Sequence, residues 1–411
     1  MARLRNLFRD RNFSFLWFSQ VISNFGDRLN QMALIGLVYA RTPGSTLELA
    51  KLLSFTIIPV FLVGPIAGSY VDRWDRKYTM IVCDLLRGIL VFIIPFVIIH
   101  SRSMVPIYVL VFIVFSITRF FVPSKLSIIP DIVHKDSLLL ANSLTSTTMM
   151  IATMVGFGFG GVLVGWIGPE GGFYVDSATY FVSAIMVSFV SLKTKRFEVS
   201  LPENSSIGIT KKTILNDIKE GLLYLKNHQD IKMICNTMFL LMAGVGAIYV
   251  IAIVFIQEAL RSSTEHLGFL AMCLGIGLFL GALIYGRFGN KLPRKDVINF
   301  CLFLTGLMVV VFSVTLRLWP YFLTAGVVSL ILGIFSAPIV VSANTILHEV
   351  MAEDMRGRIF SSLDIITHIA FLLFMVLASL IGEWIDKGLL LGGVGLIFSI
   401  IGLGKLINRE K

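Results

Sequence analysis

Apolar stretches alternate with short polar breaks along the whole chain. A helix that crosses a hydrocarbon layer needs about 20 apolar residues. Twelve such segments can be read, at about 13–39, 46–72, 79–100, 104–122, 138–165, 172–193, 231–258, 264–288, 295–316, 319–345, 358–383 and 388–407. The breaks are mostly short, with one exception at about 194–230. That stretch is rich in lysine and opens on LPENSSIGIT. Its second half, TILNDIKEGLLYLK, carries apolar residues at helical spacing, which predicts a loop and then an amphipathic helix on the membrane surface. The alternation and regular turn spacing of a membrane β-barrel are absent. The pattern therefore predicts an all-α integral membrane protein with twelve transmembrane helices: a six-helix bundle at 1–193, a linker at 194–230 and a second six-helix bundle at 231–411.

Composition agrees with this reading. Hydrophobic residues make up 56% of the 411 and charged residues only 15%, against about a quarter in a soluble domain. The start, MARLRNLFRDRNF, is basic and runs straight into a long apolar helix, so no cleavable leader is expected. Cys83, Cys235, Cys273 and Cys301 all lie inside apolar stretches, which is neither a disulfide framework nor a metal-site spacing.

Lysine and arginine give the expected direction. With the N-terminus and every second connection on one side, that side holds 27 basic residues and the other holds six. The positive-inside rule then places both termini in the cytoplasm. A basic face beside anionic lipid accounts for the net charge of +10, so lipid is the expected macromolecular neighbour and nucleic acid is not.

The two halves resemble each other. GWIGPEG (165–171) and EWIDKGL (383–389) match at an offset of 218, and Ser143-Leu144 matches Ser362-Leu363 at 219. Pro123 and Pro338 sit near corresponding ends of the fourth and tenth segments. Two parallel six-helix repeats joined by a long loop predict a transporter with a central cavity.

The loop between the second and third segments reads GSYVDRWDRKYT. Its pattern, Gly68-x-x-x-Asp72-Arg73-x-x-Arg76-Lys77, resembles the signature loop of the major facilitator superfamily. Asp75 stands where a glycine is common, and Tyr70 where a leucine is common. Within the superfamily the chain looks most like bacterial macrolide- and siderophore-exporter carriers. That match rests on Asn24-Phe25-Gly26-Asp27, Ala141-Asn142-Ser143-Leu144, Asp176-Ser177-Ala178-Thr179-Tyr180 and Arg356-Gly357-Arg358. The resemblance implies the major facilitator fold, a bacterial inner-membrane location and a cytoplasmic latch. In that latch Gly68, Asp72, Arg73, Arg76 and Lys77 meet the start of the eleventh helix, where Arg356 and Arg358 lie. The equivalent loop of the second half, GRFGNKLPRK, has no acidic residue, so the latch is expected on one half only.

Charges inside the membrane are costly, at about 2.5–3.5 kcal/mol each on insertion scales. Asp27 lies about 21 Å along a helix that starts near Phe13, past the midplane. Asn24, Asp27 and Gln31 share a helical face, while Arg28 points about 100° away from Asp27. Asp27 reads either as a proton-binding, substrate-facing carboxylate or as half of a structural ion pair. Asp84 and Arg87, three apart, are expected to pair with each other. Arg119 reads as a coupling residue or as a cytoplasmic anchor. Asp364 and His368, four apart, read as a gate or relay, or as an intrahelical hydrogen bond. His348 is assigned to a cytoplasmic loop. Met149, Met150, Met154, Phe239, Met242 and Tyr249 are the cavity candidates, being soft or aromatic side chains suited to varied apolar ligands.

No Walker-type loop, metal-ligand cluster or nucleophile triad is present in the sequence, so no catalytic residue, metal or cofactor is expected. The expected drive is a proton gradient and the expected partner an amphipathic small molecule, handled by a monomer that exports it by alternating access. The alternatives are a lipid, lysophospholipid or siderophore transporter, or a facilitator without ion coupling. A non-transporting scaffold gains nothing from the intramembrane charges.

Overall fold

The structure, a computed structural model, describes residues 7–71, 74–191, 229–289, 292–350 and 356–407. Helices occupy all twelve predicted segments, and no strand occurs among the described residues. The elements are α1 (Arg11–Arg41), α2 (Thr46–Leu62), α3 (Gly64–Val71), α4 (Arg76–His100), α5 (Val105–Ile132) and α6 (Leu138–Ser188), then α7 (Gln229–Leu260), α8 (Glu265–Phe288), α9 (Arg294–Leu318), α10 (Phe322–Val350), α11 (Arg356–Gly382) and α12 (Lys387–Ile407). The predicted surface helix of the linker lies outside the described residues.

Helices and predicted segments do not correspond one to one. The second segment is split into α2 and α3 at Val63. Pro65 has no N–H for the Phe61 carbonyl, so the intrahelical ladder is interrupted there. The fifth and sixth segments are joined in α6. Its 51 residues would span about 75 Å if straight, more than twice the roughly 30 Å of a hydrocarbon core. The helix turns at Gly168, whose φ of 77° and ψ of 166° are open to glycine and strained for other residues, and Pro169 follows it. Trp166 at this turn and Trp384 at the α11–α12 turn are both exposed.

Among the described residues, nine helices are long and apolar enough to cross a membrane. The second segment fails that test through its break. The polar residues Ser19, Gln20, Ser23, Asn24, Asp27, Arg28, Asn30 and Gln31 explain why α1 fails it too. Among the described residues these nine helices cover ten of the twelve expected segments, because α6 takes in two of them.

Two compact units result, and they cut across the two predicted halves. One comprises Met1–Gln31, Phe55–Gly156 and Glu170–Asn216; the other comprises Met32–Ser54, Phe157–Pro169 and Asp217–Lys411. In the first unit the ends of α1, α4, α5 and α6 share an apolar cluster that includes Phe13, Leu16, Met80, Phe121, Ile128 and Val187. In the second, α7, α9, α10, α11 and α12 share another, built on Met238, Leu241, Ile298, Leu302, Ile339 and Phe398. α8 lies along α10, α9 along α12, and α11 along α7.

The turn between α1 and α2 belongs to the second unit because the end of α11 and the residue that follows it hold it. Thr46 donates its hydroxyl to the Ser379 carbonyl at 2.8 Å. Glu383 Oε1 accepts from the Leu47 N–H at 2.8 Å and from Ser45 Oγ at 2.9 Å, and lies 3.2 Å from Thr46 Oγ1. A carboxylate is thus placed on the Leu47 N–H, one of the otherwise unsatisfied donors that open α2. The Gly161 region of α6 joins the same unit through α8. Thr264 Oγ1 donates to the Gly161 carbonyl at 2.8 Å, and a Cβ on Gly268 would lie 2.9 Å from Gly161 Cα. Such a glycine-to-glycine approach lets helix backbones touch in lipid, where apolar side chains gain nothing by leaving their surroundings.

Candidate functional site

Within the first unit, the second half of α6 carries Asp176, Tyr180 and Ser183 on one face, at three- and four-residue spacing. Each finds a partner on a facing helix. Asn30 of α1 donates Nδ2 to Asp176 Oδ2 at 2.6 Å. Tyr180 donates its hydroxyl to Asp27 Oδ1, also at 2.6 Å. Ser183 donates to Asp84 Oδ2 of α4 at 2.7 Å. Next to this row, Ser177 Oγ donates to the Gly88 carbonyl at 2.8 Å. Gly26 makes the seam possible, because a Cβ there would collide with Asp176 and Thr179.

Arg87 closes the network. It is 1% exposed and forms the expected ion pair with Asp84. Its guanidinium also lies 4.3 Å from the Phe121 ring centroid and 4.4 Å from that of Tyr180. Arg87 Nε has no hydrogen-bond partner among the described residues, so the two ring faces solvate that side of the cation. The connection runs Asp84, Arg87, the Tyr180 ring, the Tyr180 hydroxyl and Asp27. Lys125 is buried too and faces the same group, attracted by Asp27 and Asp84 and opposed by Arg87.

Lys125 corrects a sequence reading. The fourth segment was expected to end near 122, short of Lys125. α5 instead continues to Ile132, so Lys125 is helical, as Arg119 is. Lys125 borders a narrow cleft with Gln20, Asn24, Thr145 and Thr148.

The other expected site residues are distributed as follows. Asp27 and Arg28 diverge as the helical geometry requires. Arg28 Nη1 lies 3.1 Å from Gln31 Oε1, and its side chain runs past Gly156, where a Cβ would come within 2.9 Å of Arg28 Cβ. Arg119 is half-buried on α5. In the second unit, His368 Nδ1 lies 3.3 Å from Asp364 Oδ1 and 2.8 Å from the Asp364 carbonyl. On the facing surfaces of α7 and α11, Phe239 meets Phe374 with 6.1 Å between centroids and Tyr249 meets Phe371 with 5.6 Å. Met242 is half-buried on α7; Met149 and Met150 are exposed on α6, where Met154 is half-buried.

Of the expected latch, Asp72 and Arg73 lie outside the described residues. Gly68 falls in α3, and Arg356 and Arg358 open α11. Arg76 donates to the Ser127 carbonyl at 2.9 Å and to Asp131 at 2.5 Å, and Lys77 donates to the Ser188 carbonyl at 2.7 Å. Both thereby tie the start of α4 to the ends of α5 and α6. Asp75, where the signature loop commonly has glycine, caps α4 by accepting the Tyr78 N–H at 2.7 Å. His348 falls within α10.

Sequence reasoning missed Asn30, Asp176, Tyr180, Ser183 and Lys125 as members of a site. The signal was present: Asp176, Tyr180 and Ser183 form a polar stripe on a helix otherwise suited to lipid.

A family profile described as "Transmembrane secretion effector" matches residues 6–345. The uncharacterized MFS-type transporter YfiS of Bacillus subtilis is 24% identical over 404 residues, covering 95% of this chain and 92% of that protein. Macrolide efflux protein A of Streptococcus pyogenes is 24% identical over 402 residues, covering 96% of each. Among solved structures, a bacterial homologue of the iron transporter ferroportin in an inward-facing state superposes with a TM-score of 0.72 at 12% identity, covering 96% of this chain and 98% of that one. The fold is thus that of the major facilitator transporters, and the chain belongs to the transmembrane secretion effector family within that superfamily.

Proposed function

We propose that this protein is a secondary active exporter of amphipathic small molecules, macrolide-like in character, driven by exchange for protons. It acts without enzyme chemistry, by alternating access, in a bacterial plasma membrane with both termini in the cytoplasm. The observation that carries the reading is the buried charge network of Asp27, Tyr180, Arg87 and Asp84. Ionisable groups cost free energy inside a membrane and are kept there for ion or substrate traffic. Asp27 has the properties of a coupling residue: a carboxylate midway along α1, bonded to one titratable hydroxyl, near two cations that are themselves buried. The similarity to macrolide efflux protein A supports export and this substrate class. The aromatic pairs on α7 and α11 offer apolar contact of the kind such substrates need.

The test is flux in liposomes containing the purified protein, with a panel of macrolides, siderophores and lysophospholipids, with and without an imposed proton gradient. Gradient-dependent accumulation of a macrolide-like compound is the expected result. Movement of only lysophospholipid, or equal flux with and without the gradient, would replace this reading with a lipid transporter or a facilitator.

A further inference from the structure

Asp176 is fully buried, and Asp27 alone does not account for it. Four residues separate it from Tyr180, and three separate Asn30 from Asp27. The contacts Asn30–Asp176 and Tyr180–Asp27 are therefore two rungs of one ladder, about one helical turn apart, across the seam of α1 and α6. Each rung pairs a carboxylate with a neutral donor, and the carboxylates alternate between the two helices.

The hydrogen bonds at Asp176 favour one protonation state. Oδ2 accepts from Asn30 at 2.6 Å. Thr179 Oγ1 lies 3.3 Å from Oδ1 and 2.7 Å from the Asp176 backbone carbonyl; its single hydroxyl hydrogen can serve only one of them, and the shorter contact takes it. What Thr179 presents to Oδ1 is a lone pair. A proton on Oδ1 completes the set: Oδ1–H donates to Thr179, and Thr179 donates to the main chain. An ionised Oδ1 would face an acceptor in a space that Gly26 closes to water. The charged groups whose fields reach Asp176 are Asp27 from α1 and Arg87 from α4. Arg87 is already engaged by Asp84 and by two rings. Arg28 runs instead past Gly156.

We propose that Asp176 and Asp27 form one two-carboxylate proton site, with the proton resting on Asp176 Oδ1 and Asp27 ionised beneath Tyr180. Two neighbouring carboxylates in a dry seam do not both ionise readily, and their environments separate the roles. Release of the proton from Asp176 leaves two negative charges on adjacent turns of facing helices and loosens the α1–α6 seam. The proposal deepens the proton-coupled reading above and rests on it for its role in transport. The site itself can be read independently.

The experiment is infrared difference spectroscopy of the purified full-length protein during a pH titration, following the carbonyl stretch of a protonated carboxyl. Wild type is expected to show such a band at neutral pH. Asp176→Asn, which preserves the shape and the Asn30 contact, is expected to abolish it. Asp27→Asn, which removes the neighbouring negative charge that opposes ionisation, is expected to lose it at lower pH than wild type. Thr179→Val removes the acceptor for Oδ1–H and is expected to shift the band to higher frequency. Absence of the band in wild type, or its persistence in Asp176→Asn, overturns the proposal. The band is read without substrate or gradient, so it reports on the site whatever the flux assay shows about transport.

Discussion

Tyr180 of α6 donates its hydroxyl to Asp27 of α1 at 2.6 Å while its ring covers the Arg87 guanidinium at 4.4 Å. One side chain thus touches the carboxylate expected to couple and the cation expected to be structural. A change of charge at Asp27 alters the polarity of the Tyr180 hydroxyl and, through the ring, the surroundings of the Asp84–Arg87 pair. The alternatives of coupling residue and ion-paired strut converge here, because the strut is part of the carboxylate's environment.

Tyr180→Phe keeps the ring over Arg87 and removes only the hydrogen bond to Asp27. A hydrogen bond to a charged group contributes about 1.5–3 kcal/mol. Thermal unfolding in detergent should show a loss of that order, and Tyr180→Ala, which also uncovers Arg87, should lose more. Equal stability of Tyr180→Phe and wild type would mean that the hydroxyl bond does not persist.

Asp84→Asn leaves the Arg87 cation buried without its counterion. Breaking one side of a buried pair costs about 3–5 kcal/mol, whereas removing both charges is often close to neutral. The single variant should melt well below wild type, and the double variant Asp84→Asn/Arg87→Gln should recover much of the loss. A double variant no better than the single would show that the pair is not an isolated unit.

These partners were unequally legible in the sequence. Asp84–Arg87 could be read because both sit on one helix, where three-residue spacing sets the geometry. The twelve segments were legible for the same reason, since an apolar run reports its own burial. Tyr180–Asp27 and Asn30–Asp176 were not, because they join residues 153 and 146 positions apart, and the register between two distant helices is a tertiary property. Lys125 was misplaced because a lysine near the end of an apolar run is usually a boundary marker. Here α5 continues past the run to Ile132 and Lys125 is buried. The split of α2 from α3 needed Pro65 to be weighed above the apolar run that contains it.

Glu383 gives a pH prediction. Its partial burial works to raise its pKa, but the bonds from Leu47, Ser45 and Thr46 and the charge of Lys387 outweigh that and hold the carboxyl below its usual value. A group with a depressed folded pKa stabilises above the unfolded value, about 4.3, and this contribution is lost as pH falls through the folded one. Hydrogen exchange at Leu47, corrected for intrinsic rates, should therefore accelerate in wild type only at acid pH. In Glu383→Gln it should already be fast at neutral pH. Unchanged exchange in Glu383→Gln would show that the carboxylate does not hold the α1–α2 turn.

Asp72→Asn addresses the proposed latch. The motive is a carboxylate in a loop whose other charges, Arg73, Arg76 and Lys77, would all be expected of a cytoplasmic face, together with Asp75, which caps α4. Single cysteines on the cytoplasmic side should label faster in the variant, and flux should fall at equal expression. Unchanged labelling and unchanged flux would remove the latch.

The central claim, that a proton carried by this seam drives transport, is tested most directly at Asp27. Asp27→Asn removes one carboxylate of the two-carboxylate site but keeps an acceptor for the Tyr180 hydroxyl. Two fluxes should be measured in liposomes, wild type against variant: accumulation driven by a proton gradient, and exchange of labelled for unlabelled substrate with no gradient. The account predicts that the variant loses gradient-driven accumulation and keeps exchange. A variant that still concentrates substrate as well as wild type would contradict it.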